Sequence, residues 1–72
     1  MTVTVNGMRW ELAEGATLAD VLARLDLQAN QVLPERGVAV AVDGAVVPRA
    51  SWPATALADG AGVEVLTAVQ GG

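Results

Sequence analysis

The chain has 72 residues, 53% of them apolar, with four arginines, eight acids and a formal net charge of −4. A single domain of this length hides roughly 60% of its unfolded surface on folding, and with no cysteine to form a disulfide or bind zinc an apolar core must hold it. The acidic balance argues against nucleic acid as a partner, and no apolar run reaches the roughly 18 residues that cross a membrane.

Residues 1–12 read as a hairpin. Val3 and Val5 alternate with Thr2 and Thr4, Asn6-Gly7 is a two-residue turn that tolerates positive φ at both positions, and Met8, Trp10 and Leu12 alternate with Arg9 and Glu11. Such a turn sets Val5 against Met8 and Val3 against Trp10 on an apolar face, with Thr4 against Arg9 and Thr2 against Glu11 on a polar one. The apolar face needs a cover. Glu14-Gly15-Ala16 breaks the alternation, Thr17 is the expected helix N-cap, and Asp20 completes a variant of the capping box. Leu18, Val21, Leu22 and Leu25 then form one apolar stripe, which predicts an amphipathic helix of about two turns from Leu18 to near Leu25. Leu27, Val32 and Leu33 are expected to seal the helix exit, and Pro34 and Gly37 punctuate a loop from Asp26 to Gly37.

Val38–Val42 is a strand with Val38, Val40 and Val42 on one face and Ala39 and Ala41 on the other. Asp43-Gly44 is a second turn, and Ala45, Val46 and Val47 form a short edge strand ended by Pro48, which has no N–H for a ladder. Arg49 to Pro53 is expected to be irregular and Ala54 to Ala58 a short helical turn. Asp59-Gly60-Ala61-Gly62 turns the chain into a last strand, Val63 to Thr67, with Val63 and Val65 facing the core and Glu64 and Leu66 facing away. This order predicts an α+β domain over 1–67: a mixed sheet of four to five strands, the last beside the first at its centre, with one helix across one face. Residues 68–72 are expected to be a flexible tail ending in Gly71-Gly72.

The chemistry available to the chain is narrow. It has no His, Cys, Lys or Tyr, and Ser51, its one serine, has no imidazole to activate it. The acids are scattered and form neither a metal loop nor a catalytic pair. These absences predict a substrate or carrier rather than an enzyme, with no catalytic or metal-ligating residue and no bound cofactor. The tail offers something different. Glycine lets a backbone pass close to another surface, so a Gly-Gly tip enters a channel that any Cβ would block, and the carboxylate of Gly72 is the expected functional group. The plain alternative is a frayed end. A lysine-free surface spares an activated Gly72 from amine attack, and a coding bias toward arginine explains the same absence. Ala39, Ala41 and Leu66, on the face away from the helix, suit a flat contact with another protein, or are simply an open sheet face. Trp10 is expected in the core. Trp52 either packs on its own loop or anchors a partner, and Arg49 either pairs with a carboxylate or is solvated.

Several segments together resemble one family. Asn6-Gly7, Glu14-Gly15-Ala16-Thr17-Leu18, Val38-Ala39-Val40, Val47-Pro48-Arg49-Ala50-Ser51-Trp52, Val63-Glu64-Val65-Leu66 and Thr67 to Gly72 are similar to the ThiS family, the sulfur carriers of thiamine biosynthesis, whose fold is the ubiquitin-like β-grasp. Two turns depart from its pattern: Ala61 follows Gly60 where the family has Asp, and Asp43 stands where Asn is frequent. The resemblance implies that a ThiF-like adenylating enzyme, using ATP-Mg, converts the carboxylate of Gly72 to an acyl adenylate. A sulfur donor protein then leaves a thiocarboxylate there, and thiazole synthase receives the sulfur. Gly71 would allow close passage, Ala68, Val69 and Gln70 would supply reach and partner contact, and the setting would be cytoplasmic, in keeping with the absence of an export signal. Carriers for molybdopterin or cysteine synthesis, a protein-modifying tag and a non-conjugated β-grasp interaction module are the alternatives.

Overall fold

A computed structural model of the chain describes residues 1–29 and 38–67, the side chains of 26–29 and 67 excepted. In chain order the elements are β1 (Thr2–Val5), β2 (Met8–Glu11), α1 (Leu18–Ala29), β3 (Val38–Val42), β4 (Ala45–Val46), a 3-10 turn (Arg49–Ala54) and β5 (Gly62–Thr67). The strands form one sheet in the order β2-β1-β5-β3-β4. The sheet is mixed: β5 runs parallel to β1 and antiparallel to β3.

The first hairpin has the register that its two-residue turn dictates, Thr2 opposite Glu11, Val3 opposite Trp10, Thr4 opposite Arg9 and Val5 opposite Met8. Asn6 and Gly7 both have positive φ, 51° and 82°, as the turn requires. Val3, Val5 and Trp10 are buried, but Met8 is 69% exposed. The alternation placed Met8 on the core face; the strand order puts it on an outer strand beside the turn, where little covers it.

The N-terminus of α1 is capped by a reciprocal pair. The Thr17 backbone N–H donates to Asp20 Oδ2 at 2.8 Å, and the Asp20 N–H donates to Thr17 Oγ1 at 3.3 Å. Leu18 and Val21 are fully buried. The helix runs to Ala29, a turn beyond the expected end near Leu25. The apolar stripe stops at Leu25, but Leu27, Gln28 and Ala29 are good helix formers and nothing among them breaks the backbone. The expected seal by Leu27, Val32 and Leu33, and the loop bracketed by Pro34 and Gly37, lie outside the described residues and side chains.

The segment after β4 also differs from expectation. Arg49 to Pro53, expected to be irregular, forms the 3-10 turn together with Ala54, and of the helical turn expected at Ala54 to Ala58 only Ala54 is helical: Thr55 is extended and Ala56 forms a bridge. Pro48 enters the turn in extended conformation, φ −61° and ψ 146°, which starts a helical turn without needing its missing N–H. Past it the chain docks on the start of α1. Thr17 bridges Ala56, the Leu18 N–H donates to the Thr55 carbonyl at 3.0 Å, and the Leu57 N–H donates to the Ala16 carbonyl at 2.9 Å. Those partners exist only once the helix is in place, so local propensity did not reveal them.

Trp52 inserts from the 3-10 turn into the core at 6% exposure. Its Nε1–H donates to the Val47 carbonyl at 2.9 Å, and the Arg49 guanidinium lies over its ring, 4.7 Å from the centroid. Trp52 is thus an anchor of its own loop and not an exposed partner contact. Trp10 is buried under Arg24, whose guanidinium sits 4.4 Å from its ring centroid and donates to the Glu11 carbonyl. No described polar or charged residue is buried, and no buried side-chain polar atom among the described residues lacks a partner.

These placements give three expected outcomes. Leu18→Ala should lower stability by about 2–5 kcal/mol and Trp52→Ala by about 3–5 kcal/mol, read as a shift of the urea midpoint at constant slope. Leu66→Ala, on the open face, should change stability by no more than about 0.5 kcal/mol.

Candidate functional site

The predicted site has two parts, the end of the chain and the sheet face turned away from α1, and β5 joins them. The strand sits at the sheet centre. On the β3 side its pairing runs the whole way, from Val42 opposite Val63 to Val38 opposite Thr67. On the β1 side the backbone register covers only Thr4 opposite Gly62 and Val5 opposite Val63. Two hairpin residues add grips on β5. Asp43 Oδ1 accepts the Gly62 N–H at 2.8 Å. Asn6 donates through Nδ2 to the Val65 carbonyl at 3.1 Å and accepts the Val65 N–H on Oδ1 at 2.8 Å.

Side chains alternate along β5, so Val63 and Val65 are buried while Glu64 and Leu66 are exposed, as their spacing predicts. Leu66 is 65% exposed and lies opposite the exposed Ala39. Ala41, half-buried, lies opposite Glu64 on one side and Val46 on the other. The structure therefore brings Ala39, Ala41 and Leu66 together on one face. It adds a residue that the sequence did not single out. Val46 is 75% exposed and extends the patch to the sheet edge. A strand of two residues has too short an alternation to assign a face; only its register with Ala41 does.

This patch combines two alanines with two branched aliphatic side chains and one carboxylate, Glu64. Small side chains leave the sheet flat, and the apolar area is continuous across β5, β3 and β4. Such a surface has the composition of a flat protein contact. Among the described residues no group of three or more His, Asp or Glu side chains is placed to hold a metal ion, and no helix is long and apolar enough to cross a membrane. The remaining predicted site residues, Ala68, Val69, Gln70, Gly71 and Gly72, lie outside the described residues; they follow directly from Thr67, the last residue of β5.

The comparisons with known proteins agree with one another. The model of the ThiS family matches residues 3–72. No curated protein matches the chain. Among solved structures, the thiamine biosynthesis protein ThiS from Geobacter metallireducens is 32% identical, superposes with a TM-score of 0.76, and is covered over 100% of both chains. The five-stranded mixed sheet under one helix is thus the ubiquitin-like β-grasp, as the resemblance implied. With the family match spanning nearly its whole length, the chain belongs to the ThiS family.

Proposed function

We propose that this protein is a sulfur carrier in thiamine biosynthesis, acted on by enzymes and not itself an enzyme. The observation that carries the reading is the family match through residue 72, which takes in Thr67-Ala68-Val69-Gln70-Gly71-Gly72. The ThiS likeness over the full chain supports thiamine over the related molybdopterin and cysteine carriers.

The chemistry proceeds at Gly72. A carboxylate is a poor acyl donor because oxide is its leaving group. In the proposed reaction a carboxylate oxygen of Gly72 attacks the α-phosphorus of ATP and pyrophosphate departs, leaving an acyl adenylate. The outer sulfur of a persulfide on a donor protein then attacks the acyl carbon and AMP departs, leaving an acyl disulfide. A second thiol on the partner side attacks the donor sulfur of that S–S bond, forms a disulfide with it and releases a thiocarboxylate at Gly72, whose sulfur passes to thiazole synthase. ATP and magnesium belong to the ThiF-like adenylating partner, and the reactions run in the cytoplasm.

The body of the protein supplies recognition. The patch of Ala39, Ala41, Leu66 and Val46 docks the partner, and Glu64 within it favours a basic counterpart. Because Leu66 and the tail belong to one continuous stretch of chain, docking at the patch aims the tail. The five residues after Thr67 span at most about 18 Å when fully extended, which limits how far the adenylating centre lies from the edge of the patch. Gly71 and Gly72 carry no side chain, so the last part of that path can be narrow.

Incubation with ATP, a ThiF-like enzyme and a sulfide source should raise the intact mass by the difference between sulfur and oxygen. An unchanged mass would favour a β-grasp interaction module, and an isopeptide-linked product a protein tag. Deletion of Gly72 should abolish the gain and leave cells dependent on added thiazole; dependence on molybdopterin or cysteine instead would reassign the pathway. Leu66→Arg should weaken adenylation at least tenfold by placing a charge in a desolvated contact, with the thermal midpoint unchanged. Wild-type turnover in that variant would remove the patch from the docking surface.

A further inference from the structure

We propose that Asn6 is a positioning residue for β5: its carboxamide acts as the last rung of the β1–β5 ladder and holds the strand from which residues 68–72 continue. The parallel ladder begins with ordinary backbone bonds. The Thr4 N–H donates to the Ala61 carbonyl at 2.9 Å and the Asn6 N–H to the Val63 carbonyl at 2.8 Å. The next rung calls for a backbone N–H beside the Val65 carbonyl and a carbonyl beside the Val65 N–H. The chain has already turned away there, through Asn6 at φ 51° and Gly7 at φ 82°. The Asn6 side chain fills both roles, with Nδ2 donating to the Val65 carbonyl at 3.1 Å and Oδ1 accepting the Val65 N–H at 2.8 Å. A carboxamide is chemically a peptide group, so the ladder continues without a break in polarity.

Asp43 shows why the residue type matters. It occupies the same place in the second hairpin turn, at φ 49°. Its Oδ1 accepts the Gly62 N–H at 2.8 Å, while its backbone N–H donates to the Gly62 carbonyl at 2.8 Å. The side chain there needs only an acceptor, and either a carboxylate or an amide provides one. At position 6 the side chain must both donate and accept, and the turn also demands positive φ. Asn meets all three conditions; a carboxylate lacks the donor and would face the Val65 carbonyl with like charge. The two turn residues are therefore not interchangeable, and the Asp at 43 is a harmless departure from the family pattern.

The consequence for the protein rests on the carrier reading. Val65 precedes Leu66, the centre of the docking patch. Without the Asn6 rung, β5 beyond Val63 is held on the β3 side alone, and the geometry between patch and tail loosens.

The test uses Asn6→Gly, which keeps the positive-φ turn but removes the amide, Asn6→Asp, which keeps the acceptor, and Asp43→Asn as the control. Hydrogen exchange is read at the Val65 amide relative to the Thr4 amide, a rung of the same ladder. We expect it to rise about tenfold in Asn6→Gly and to stay unchanged in Asp43→Asn. In Asn6→Asp the loss of thermal midpoint should depend on pH. The protonated acid can bond both the Val65 N–H and the Val65 carbonyl, whereas the carboxylate bonds only the N–H and is opposed by the carbonyl, so the new carboxyl is raised above its unfolded value of about 3.9; the loss is full above the raised value and disappears once both states are protonated. Protonation restores an O–H donor. The rate of thiocarboxylate formation in Asn6→Gly should fall further than in Val3→Ala, a core variant that lowers stability without touching the rung. Unchanged exchange at Val65, or a pH-independent loss in Asn6→Asp, overturns the rung. A rate no lower than that of the core variant overturns its positioning role. A wild-type protein that is never converted defeats the carrier reading, and the exchange and pH measurements still decide the rung.

Discussion

The parallel contact between β1 and β5 governs the rest of the molecule. Two parallel neighbours cannot be joined by a tight turn; the chain between them must cross over a face of the sheet. Here the first and last strands are those neighbours, so almost everything between them is that crossover. The helix and the 3-10 turn pass over the same face, pack on one another, and bring Leu18, Val21 and Trp52 down onto Val3, Val40 and Val63. Among the described residues no second helix covers the other face. The burial of one side and the bareness of the other follow from a single topological requirement met by a short chain.

That asymmetry divides labour within the protein. The covered face holds the fold in a chain that has no cysteine for a disulfide. The bare face carries alanines, Leu66 and Val46 where a partner can approach the sheet closely. The central strand serves both, since its alternate residues lie in the core and in the patch. Under the proposed function the reacting group is a backbone carboxylate, which asks of the rest of the chain a stiff support and a recognisable surface. Both come from β5.

The two hairpin turns bear on this strand from opposite sides. Asn6 and Asp43 each adopt the backbone conformation that a tight turn demands, and each also reaches β5. Sequence reading recognises both as turn residues. It does not reveal the second role, because the partner backbone is far away in the chain and arrives only with the sheet. The same limit explains the other departures. The end of α1 was set by helix propensity after the apolar stripe had finished. The 3-10 turn was set by Pro48 and by a place for Trp52 in the core. Met8 owes its exposure to lying on an outer strand, and Val46 to the register that sets it on the open face beside Ala41.

Local patterns in the chain were enough to specify the first hairpin and its register, the N-terminus of the helix, the alternation along β3 and β5, and the face on which Ala39, Ala41 and Leu66 lie. Each of these depends on neighbours a few residues apart, where periodicity and turn chemistry act directly. The docking of residues 55–57 on the start of α1, the membership of Val46 in the patch and the amide rung at Asn6 belong to the assembled sheet. They depend on contacts between distant parts of the chain, and such contacts acquire a free energy only when the crossover has closed and the core has formed.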